Sequence, residues 1–345
     1  MSQQTDERRD EEGDDEPTSG RSDVRTITDG DAAARDDART LARGDPMTIA
    51  RALGDAAERL RAASVPDPWR EAATLLADTL ARDRAYLFAH SDDELDRRAL
   101  ALFRERIRRR AAGEPTQYIT GRQEFYGLDF EVGPAVLIPR PETELLVETA
   151  LELLRESDAR NAEDSRGANR SRRAPFVCDV GAGSGCIPVA LLNERRDARA
   201  VAVDISAAAL RVAARNAARH SVSERLALVA SDLFGALDAS RLKFDLITSN
   251  PPYVAESDLG ALQREVREHE PRVALTPGGD GLSIICRLLA EAPRFLAPGG
   301  HLLLEIGFNQ HEAVHRLIEP RVWTPLDTRA DLQGIPRAVV LRRDG

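Results

Sequence analysis

The stretch that decides the fold is FVCDVGAGSGCIPVALL, residues 176–192. A short apolar run leads into a glycine-rich turn and then into a second apolar run. Glycines let the backbone approach a ligand closely, and a helix that starts after them presents a partial positive charge. The pattern predicts a strand, a ligand-binding turn and a helix, the alternative being a turn that binds nothing. The GxGxG spacing differs from GxGxxG, so a dinucleotide is disfavoured.

Downstream of this turn, the chain alternates between strand and helix patterns. Four more apolar runs follow, RAVAVD, LALVA, FDLITS and HLLLEI, at residues 199–204, 226–230, 244–249 and 301–306. Helical segments separate them, which predicts a doubly wound α/β sheet with helices on both faces. From Val322 to Leu341 we expect two antiparallel edge strands that turn at Gln333-Gly334, because no room is left for a crossover helix.

Upstream, the patterns are helical and then hairpin-like. Apolar residues recur at helical spacing after Met47, Pro66 and Asp92, which predicts three short helices. Residues 117–140 indicate a hairpin, and PETELLVETALELLRE, residues 141–156, indicates a helix with proline in its first turn. The predicted organisation is a disordered acidic tail 1–46, a helical domain 47–113, a β-hairpin linker 114–140 and an α/β domain 141–345 with a polar insertion at 156–174.

The net charge of -10 on the 345 residues belongs mainly to the tail. Residues 1–46 hold 14 acidic and seven basic side chains, and the remainder holds 44 and 41. A segment with this much charge and few large apolar residues cannot offset the entropy lost on ordering, so we expect it to be disordered. It is either a dispensable tail or the result of a start codon assigned too far upstream of Met47. The sequence shows no membrane span and no signal peptide, which predicts a cytoplasmic protein. Three cysteines without CxxC spacing and six histidines without HExxH disfavour a metal site.

Two positions after the glycine turn indicate nucleoside binding. Asp204 ends the second strand, where a carboxylate can accept both hydroxyls of a ribose. Because SAAALRV follows, Asp204 could instead, or in addition, cap the next helix. The segment Ser231–Phe234 follows the third strand, where an adenine would be held between apolar walls and a polar edge.

The motif that indicates the chemistry is Asn250-Pro251-Pro252-Tyr253, at the end of the fourth strand. Two prolines fix the loop and remove backbone donors, which leaves the Asn250 side-chain oxygen and the Pro251 carbonyl as acceptors. Two acceptors can grip a planar NH2 group and direct its lone pair at an electrophile, while Tyr253 stacks on it. Combined with a nucleoside site, this predicts methyl transfer from S-adenosylmethionine to a planar nitrogen, driven by positioning.

At this point the sequence resembles the release factor glutamine methyltransferases (HemK/PrmC) from about Met47 to Leu341. In and around the linker, the resemblance rests on GEP (113–115), YI (118–119), EFYG (124–127) and LIPRPETE (137–144). In the α/β domain it rests on DVGAGSG (179–185), NPPY (250–253), EP (270–271), GDGL (279–282) and DLQGIPR (331–337). It implies a seven-stranded Rossmann-like methyltransferase domain preceded by a small helical substrate-recognition domain and a β-hairpin linker. It also implies that the enzyme methylates the N5 amide of the GGQ glutamine in class I release factors, without binding DNA or membranes.

The resemblance assigns residues to roles. The residues implied to hold S-adenosylmethionine are Gly181, Ala182, Gly183, Ser184, Gly185, Asp204, Leu233 and Asn250. Those implied to be catalytic are Asn250, Pro251 and Tyr253, and those implied to bind the substrate are Asn250, Pro251, Pro252, Tyr253 and Phe125. Arg140 and Glu142 either serve the site or tie the linker to the sheet.

Three alternatives stay open. A ribosomal-protein glutamine methyltransferase would use the same chemistry. NPPY also occurs in adenine-N6 and guanine-N2 nucleic-acid methyltransferases, which need a basic face such as Arg104–Arg110 could offer. A non-catalytic S-adenosylmethionine-binding regulator is the non-enzyme alternative, and the intact Asn250 and Pro251 argue against it.

Overall fold

The computed structural model describes residues 46–164 and 174–344. Five helices form the amino-terminal part of this described chain: α1 Ile49–Ala62, α2 Pro68–Leu80, α3 Arg84–Ala89, α4 Arg97–Ala111 and α5 Thr116–Thr120. Thr48, Asp83 and Asp96 each accept a backbone N–H at the start of a helix, as N-cap residues do. The prediction of three helices missed α3 and α5, which are too short to show a period.

The linker contains the expected hairpin. Strands β1 Arg122–Phe125 and β2 Leu128–Glu131 pair antiparallel. The loop consists of Tyr126 and Gly127, both at positive φ, of 53° and 72°. Two consecutive residues in this conformation form the tight turn that matches the twist of the strands.

A single turn of 3-10 helix, Pro141–Thr143, precedes helix α6, Glu144–Asp164. The expected helix ended near residue 156, but α6 continues into the predicted insertion, since each residue added to an existing helix gains a backbone hydrogen bond. Residues 165–173 of that insertion, and residues 1–45 of the acidic tail, lie outside the described residues. The domain boundaries therefore stay a prediction.

The five apolar runs form parallel strands, as predicted, but the expected helix between the third and the fourth of them is absent from residues 231–243, which form turns instead. The strands are β3 Phe176–Val180, β4 Arg199–Asp204, β5 Leu226–Ala230, β6 Phe244–Ser249 and β7 Leu296–Glu305. The helices between them are α7 Cys186–Glu194, α8 Ala207–Arg219, α9 Arg264–His269, α10 Arg272–Leu275 and α11 Ser283–Glu291.

The carboxyl-terminal segment completes the sheet. Helix α12, His311–Leu317, precedes strands β8 Trp323–Pro325, β9 Arg329–Ala330 and β10 Pro336–Arg343. Strand β10 lies antiparallel between β7 and β8, and the two-residue β9 pairs beside it, so the segment has one short strand more than expected. The order of the strands across the sheet is β5-β4-β3-β6-β7-β10-β8. Strands β3 to β5 are added toward one edge and the later strands toward the other, so the strand order reverses between β3 and β6.

Side chains alternate between the two faces of the sheet. Val177, Ala202 and Leu246 pack in a cluster with the apolar residues of α6 and α7. Val180, Val203 and Ile247 pack in a second cluster with Ile285 of α11 and Val314 of α12. Because both faces are covered, only the strand ends and loops are free to form a site, and a doubly wound sheet binds ligands at the carboxyl ends where the strand order reverses.

Candidate active site

The glycine loop bends over the carboxyl end of β3. The N–H groups of Gly181 and Ala182 donate to the carbonyl of Val203, at 2.8 and 3.0 Å. Gly181 and Gly183 have φ of +81° and +53°, a conformation that strains other residues. Gly183 N–H points at the neighbouring strand end and donates to Asp204 Oδ2 at 2.8 Å. The loop is thus tied to β4 while its open side faces the end of the sheet.

Gly185 serves packing rather than binding. It is the N-cap of α7, and it does not line either cavity described below. A Cβ at this position would lie 3.1 Å from the Cβ of Ala213 in α8. The absence of a side chain allows α7 and α8 to approach, so we remove Gly185 from the residues expected to touch the cofactor.

The carboxylate of Asp204 is anchored by backbone groups. Its Oδ2 accepts the N–H of Gly183 and its Oδ1 accepts the N–H of Ser206, both at 2.8 Å. Ser206, whose hydroxyl accepts the N–H of Ala209, is the N-cap of α8, so the capping alternative for Asp204 is wrong. Each carboxylate oxygen keeps a second lone pair that can accept a ligand hydroxyl.

A cavity of about 380 Å³ opens at this strand end. Its lining includes all the predicted cofactor residues except Gly185: Gly181, Ala182, Gly183, Ser184, Asp204, Leu233 and Asn250. Ile205 and Val273, two large apolar side chains that are 63% and 56% exposed, line it as well. Apolar walls beside an anchored carboxylate suit a nucleoside. We call Gly181–Ser184, Asp204 and Leu233 the cofactor half of the site.

Asp179, two residues before Gly181, opens the glycine motif, but it is not among the predicted site residues. Its Oδ1 accepts the hydroxyl of Thr248 at 2.7 Å, while its buried Oδ2 has no hydrogen-bond partner. Burial raises the pKa of Asp179 to about 7. A nearby cationic ligand would favour the ionised carboxylate. The signal in the sequence was the acid that opens DVGAGSG.

A second cavity, of about 500 Å³, adjoins the first. Asn250 and Pro251 line both cavities, whereas Pro252 lines only the first and Tyr253 only the second. Glu305 and Arg337 also line the second cavity. The Asn-Pro pair therefore stands at the junction, where a group on one side can meet a group on the other.

A chain of hydrogen bonds runs behind this junction. Asn250 Nδ2 donates to Thr143 Oγ1 at 3.0 Å, and the Thr143 hydroxyl donates to Glu305 Oε2 at 2.7 Å. The Tyr253 hydroxyl donates to Glu305 Oε1 at 3.3 Å. We call Thr143, Asn250, Pro251, Tyr253, Glu305 and Arg337 the acceptor half of the site.

Burial controls the ionisation of this chain. Desolvation raises the pKa of Glu305 to about 7, although its hydrogen bonds with Thr143 and Tyr253 and the charge of Arg337 oppose the shift. The pKa of Tyr253 is also raised, first by burial and then by Glu305. Thr143 and Glu305 were missed by sequence reasoning, although they stand in PRPETE and at the end of a predicted strand.

The backbone around Tyr253 explains a glycine and a glutamine outside the NPPY motif. A Cβ on Gly281 would lie 2.2 Å from the Tyr253 carbonyl oxygen, so GDGL requires glycine there. Gln310 Nε2 donates to the same oxygen at 2.9 Å, while Gln310 Oε1 accepts Gly307 N–H. These contacts hold the tyrosine loop against the segments after α10 and β7.

The linker residues act mainly as ties. Arg140 forms a 2.5 Å ion pair with Glu270, which also accepts the Ile138 N–H. Asn216, another residue that was missed, is fully buried and bonds both the backbone of Glu131 in the hairpin and the carbonyl of Ser184 in the glycine loop. Arg140 lines both cavities, so its tie also shapes the junction.

Phe125 does not border the site. Its side chain is 1% exposed and packs edge-on against Phe130, with ring centroids 6.0 Å apart. It lines neither cavity and belongs to the core cluster beneath the hairpin. The expected contact with the substrate was wrong, because the register of β1 and β2 turns this ring into the core.

The doubly wound sheet, the glycine loop with its anchored acid, and NPPY at a two-cavity junction define a methyltransferase that uses S-adenosylmethionine. The residues present fit that cofactor: apolar walls for the base, Asp204 for the ribose, and, two residues before the glycine loop, a buried Asp179 carboxyl oxygen without a hydrogen-bond partner. None of the helices in residues 46–164 and 174–344 is long and apolar enough to cross a membrane.

Comparison with known proteins identifies the family. A sequence profile described as the PrmC N-terminal domain matches residues 51–121, and one described as the methyltransferase small domain matches residues 168–286. The release factor glutamine methyltransferase of Koribacter versatilis is 45% identical over 297 residues, which cover 86% of this chain and 99% of the relative. That of Nitratidesulfovibrio vulgaris is 43% identical over 299 residues, 86% and 96% of the two chains.

The chain belongs to the release factor glutamine methyltransferase family. The resemblance predicted from the linker and loop motifs is thereby confirmed, as is the fold class. A solved protein-(glutamine-N5) methyltransferase (release factor-specific) from Alicyclobacillus acidocaldarius is 31% identical, covering 63% of this chain and 100% of that one, with a TM-score of 0.35.

Proposed function

We propose that this protein transfers the methyl group of S-adenosylmethionine to the side-chain N5 of the glutamine in the GGQ motif of class I release factors. The observation that carries the proposal is the junction at Asn250 and Pro251, which line both the nucleoside cavity and the adjoining cavity. Membership of the family supports a glutamine amide as the acceptor. The product is N5-methylglutamine.

An amide nitrogen is a weak nucleophile because its lone pair is delocalised, so the site must orient it. The Asn250 side-chain oxygen and the Pro251 carbonyl accept the two N–H bonds of the acceptor amide, and Tyr253 stacks against its plane. Gripping both hydrogens fixes the nitrogen at the junction with its lone pair directed into the cofactor half. Such positioning accounts for most of the rate enhancement expected of a transfer without a strong base.

The residues of the cofactor half bind S-adenosylmethionine. Asp204 accepts the ribose hydroxyls, Leu233 packs on the base, and the open side of the Gly181–Ser184 loop faces the remainder. When bound, the cofactor supplies an electrophilic methyl group on a positively charged sulfur. The amide nitrogen forms a bond to the methyl carbon as the carbon–sulfur bond breaks, and the nitrogen releases one proton to water.

The surface supports a protein acceptor over a nucleic acid. The arginines near the end of α4 are engaged by acids: Arg106 pairs with Asp78, Arg108 with Glu105, and Arg109 with Glu114. Each of these arginines has an acidic partner, so the positive charge on which phosphate binding depends is partly offset at this helix end. We therefore propose no direct DNA binding, a cytoplasmic location with the release factors, and a substrate-recognition role for the helical domain 47–113.

A transfer assay tests the proposal. Purified full-length protein is incubated with S-adenosylmethionine carrying a labelled methyl group and with a class I release factor, and mass spectrometry locates the added methyl. We expect label on the GGQ glutamine and none on a release factor with GGA in its place. Label on ribosomal protein, rRNA or DNA supplied in parallel, with none on the release factor, would overturn the proposal.

A further inference from the structure

We infer that Glu305, acting through Thr143, orients the side-chain amide of Asn250 so that its oxygen faces the acceptor. The inference rests on the proposed function for the identity of the acceptor, but the hydrogen-bond chain itself lies wholly within this protein. The oxygen and the NH2 group of an amide are nearly equal in size, so packing alone does not fix which of them faces the cavities. If the Asn250 amide were turned by 180°, its NH2 group would face the NH2 group of the substrate glutamine. Two hydrogen-bond donors cannot bond to each other.

The single proton of the Thr143 hydroxyl decides the orientation. An ionised Glu305 can only accept, so the Thr143 proton goes to Glu305 Oε2, at 2.7 Å. The Thr143 oxygen is then left to accept, and it receives a proton of Asn250 Nδ2, at 3.0 Å. With its nitrogen committed to Thr143, Asn250 turns its oxygen away from Thr143 toward the cavities.

The second oxygen of Glu305 serves the other side of the acceptor pocket. Glu305 Oε1 accepts the hydroxyl of Tyr253 at 3.3 Å, so one carboxylate holds both the amide and the aromatic ring of NPPY. Thr143 and Glu305 are 2% exposed, so water does not compete for these bonds. While Glu305 is ionised, a reversed order would leave Glu305 Oε2 without its donor, because a Thr143 proton given to Asn250 cannot also go to Glu305.

Glu305 and Thr143 are positioning residues, since they act through Asn250 and Tyr253. This explains why a threonine is placed after Pro141-Glu142, at the turn that leads into α6. The hydroxyl must reach between two loops that the linker brings together. Valine has the same shape and would fill the space, but it would leave Nδ2 of Asn250 without an acceptor.

A double-mutant cycle tests the inference with the full-length protein and the methyl-transfer assay. The variants are Thr143→Val, Thr143→Ser, Asn250→Ala and the Thr143→Val/Asn250→Ala double variant. The matched control is Thr149→Val, which removes another buried threonine hydroxyl six residues further along, in α6. Melting temperatures and cofactor affinity are measured for every variant.

We expect Thr143→Val to lower kcat about tenfold, the effect of about one net hydrogen bond. Thr143→Ser restores kcat to within about threefold of the wild type, and Thr149→Val changes it less than about twofold. In the Asn250→Ala background, Thr143→Val has less than about a twofold further effect, because the group it orients is gone. An equal tenfold loss in both backgrounds, or a wild-type kcat in Thr143→Val, would overturn the inference.

A second measurement needs neither an acceptor nor activity. The side-chain amide signals of Asn250 in a nitrogen-15 spectrum are assigned by their absence in Asn250→Ala. We expect them to shift and exchange faster with water in Thr143→Val but not in Thr149→Val, and unchanged signals would contradict the inference. If the wild type methylated no release factor, the proposed function would fail, while these signals would still decide the orientation of Asn250.

Discussion

The cofactor half draws Gly181–Ser184, Asp204 and Leu233 from three consecutive strand ends, and its contacts are largely to the backbone. The acceptor half instead joins side chains from distant segments: Thr143 and Glu305, which share a hydrogen bond, are 162 positions apart. A half built on backbone groups binds through its shape, whereas a half built on side chains depends on each donor and acceptor. Substitutions in the two halves should therefore affect different kinetic constants.

The largest expected effect separates the halves most clearly. Asn250→Ala removes one of the two acceptors that orient the substrate amide, and we expect kcat to fall about 100- to 1,000-fold, as for the loss of an oriented polar group in other active sites. Cofactor affinity should stay within about threefold, because the remaining lining of the cofactor half is unchanged. Single-turnover kinetics and calorimetry with S-adenosylmethionine measure the two quantities.

The same experiment can contradict the division. A large loss of cofactor affinity with a nearly normal kcat at saturation would place Asn250 in the cofactor half. The melting temperature of the variant serves as the control for folding.

Asp204→Asn is the corresponding change in the cofactor half. An amide can accept through only one atom, so the variant loses one of the two backbone bonds to Gly183 and Ser206 as well as the charge. We expect the KM for S-adenosylmethionine to rise about 10- to 100-fold, the effect of a bond to a charged group. At saturating cofactor, kcat should stay within about threefold of the wild type.

Initial rates over a range of cofactor concentrations give both constants. A fall in kcat with an unchanged KM would show that Asp204 acts on the transfer step. The division into a half that affects cofactor binding and a half that affects transfer would then not hold for Asp204.

The pH dependence of Glu305 has a smaller effect. Its folded-state pKa of about 7 exceeds the ordinary 4.5 because of burial, with Glu142 raising it and Arg337, Thr143 and Tyr253 lowering it. Below pH 7 the protonated carboxyl can donate to Thr143 and reverse the hydrogen-bond chain. We expect kcat to fall as the pH drops through about 7, and this decline to be absent in Glu305→Gln.

Stability should change in the opposite sense. A carboxyl with a raised folded-state pKa contributes stability below its unfolded pKa and loses it as the pH rises through about 7. Glu305→Gln should therefore melt at a higher temperature than the wild type at pH 8 and at a similar temperature near pH 4.5. Asp179 has a pKa of about 7 as well, so only the difference between the two proteins reports Glu305. A difference that does not change with pH would contradict the assignment.

Contiguous patterns in the sequence predicted most of the cofactor half. The runs FVCDV, RAVAVD, LALVA and FDLITS are strands with the expected bounds, since an apolar run between helices has few other places in a doubly wound sheet. The glycine loop and Asp204 follow from positions at strand ends. The short helices α3 and α5 were missed because six and five residues do not show a helical period.

The acceptor half could be predicted only where it coincides with a motif. NPPY was found because its four residues are adjacent, but Thr143 and Glu305 meet only after the sheet has formed. Nothing in a local pattern shows that a threonine after Pro141-Glu142 will reach the end of β7. Asn216 was missed for the same reason, since its partners in the hairpin and the glycine loop are brought together by the fold.

Phe125→Leu should have the smallest effect on activity, and it tests where the acceptor half ends. The ring of Phe125 is buried edge-on against Phe130 in the core beneath the hairpin, away from both cavities. We expect the free energy of unfolding to fall by about 1–3 kcal/mol through lost packing, with kcat and both KM values within about twofold. Denaturant titration and steady-state kinetics measure these, and Phe130→Leu is the matched control because it removes the other ring of the pair. If Phe125→Leu slowed methyl transfer while Phe130→Leu did not, the hairpin would contribute to the acceptor half. That half would then include Phe125, a residue that lines neither cavity.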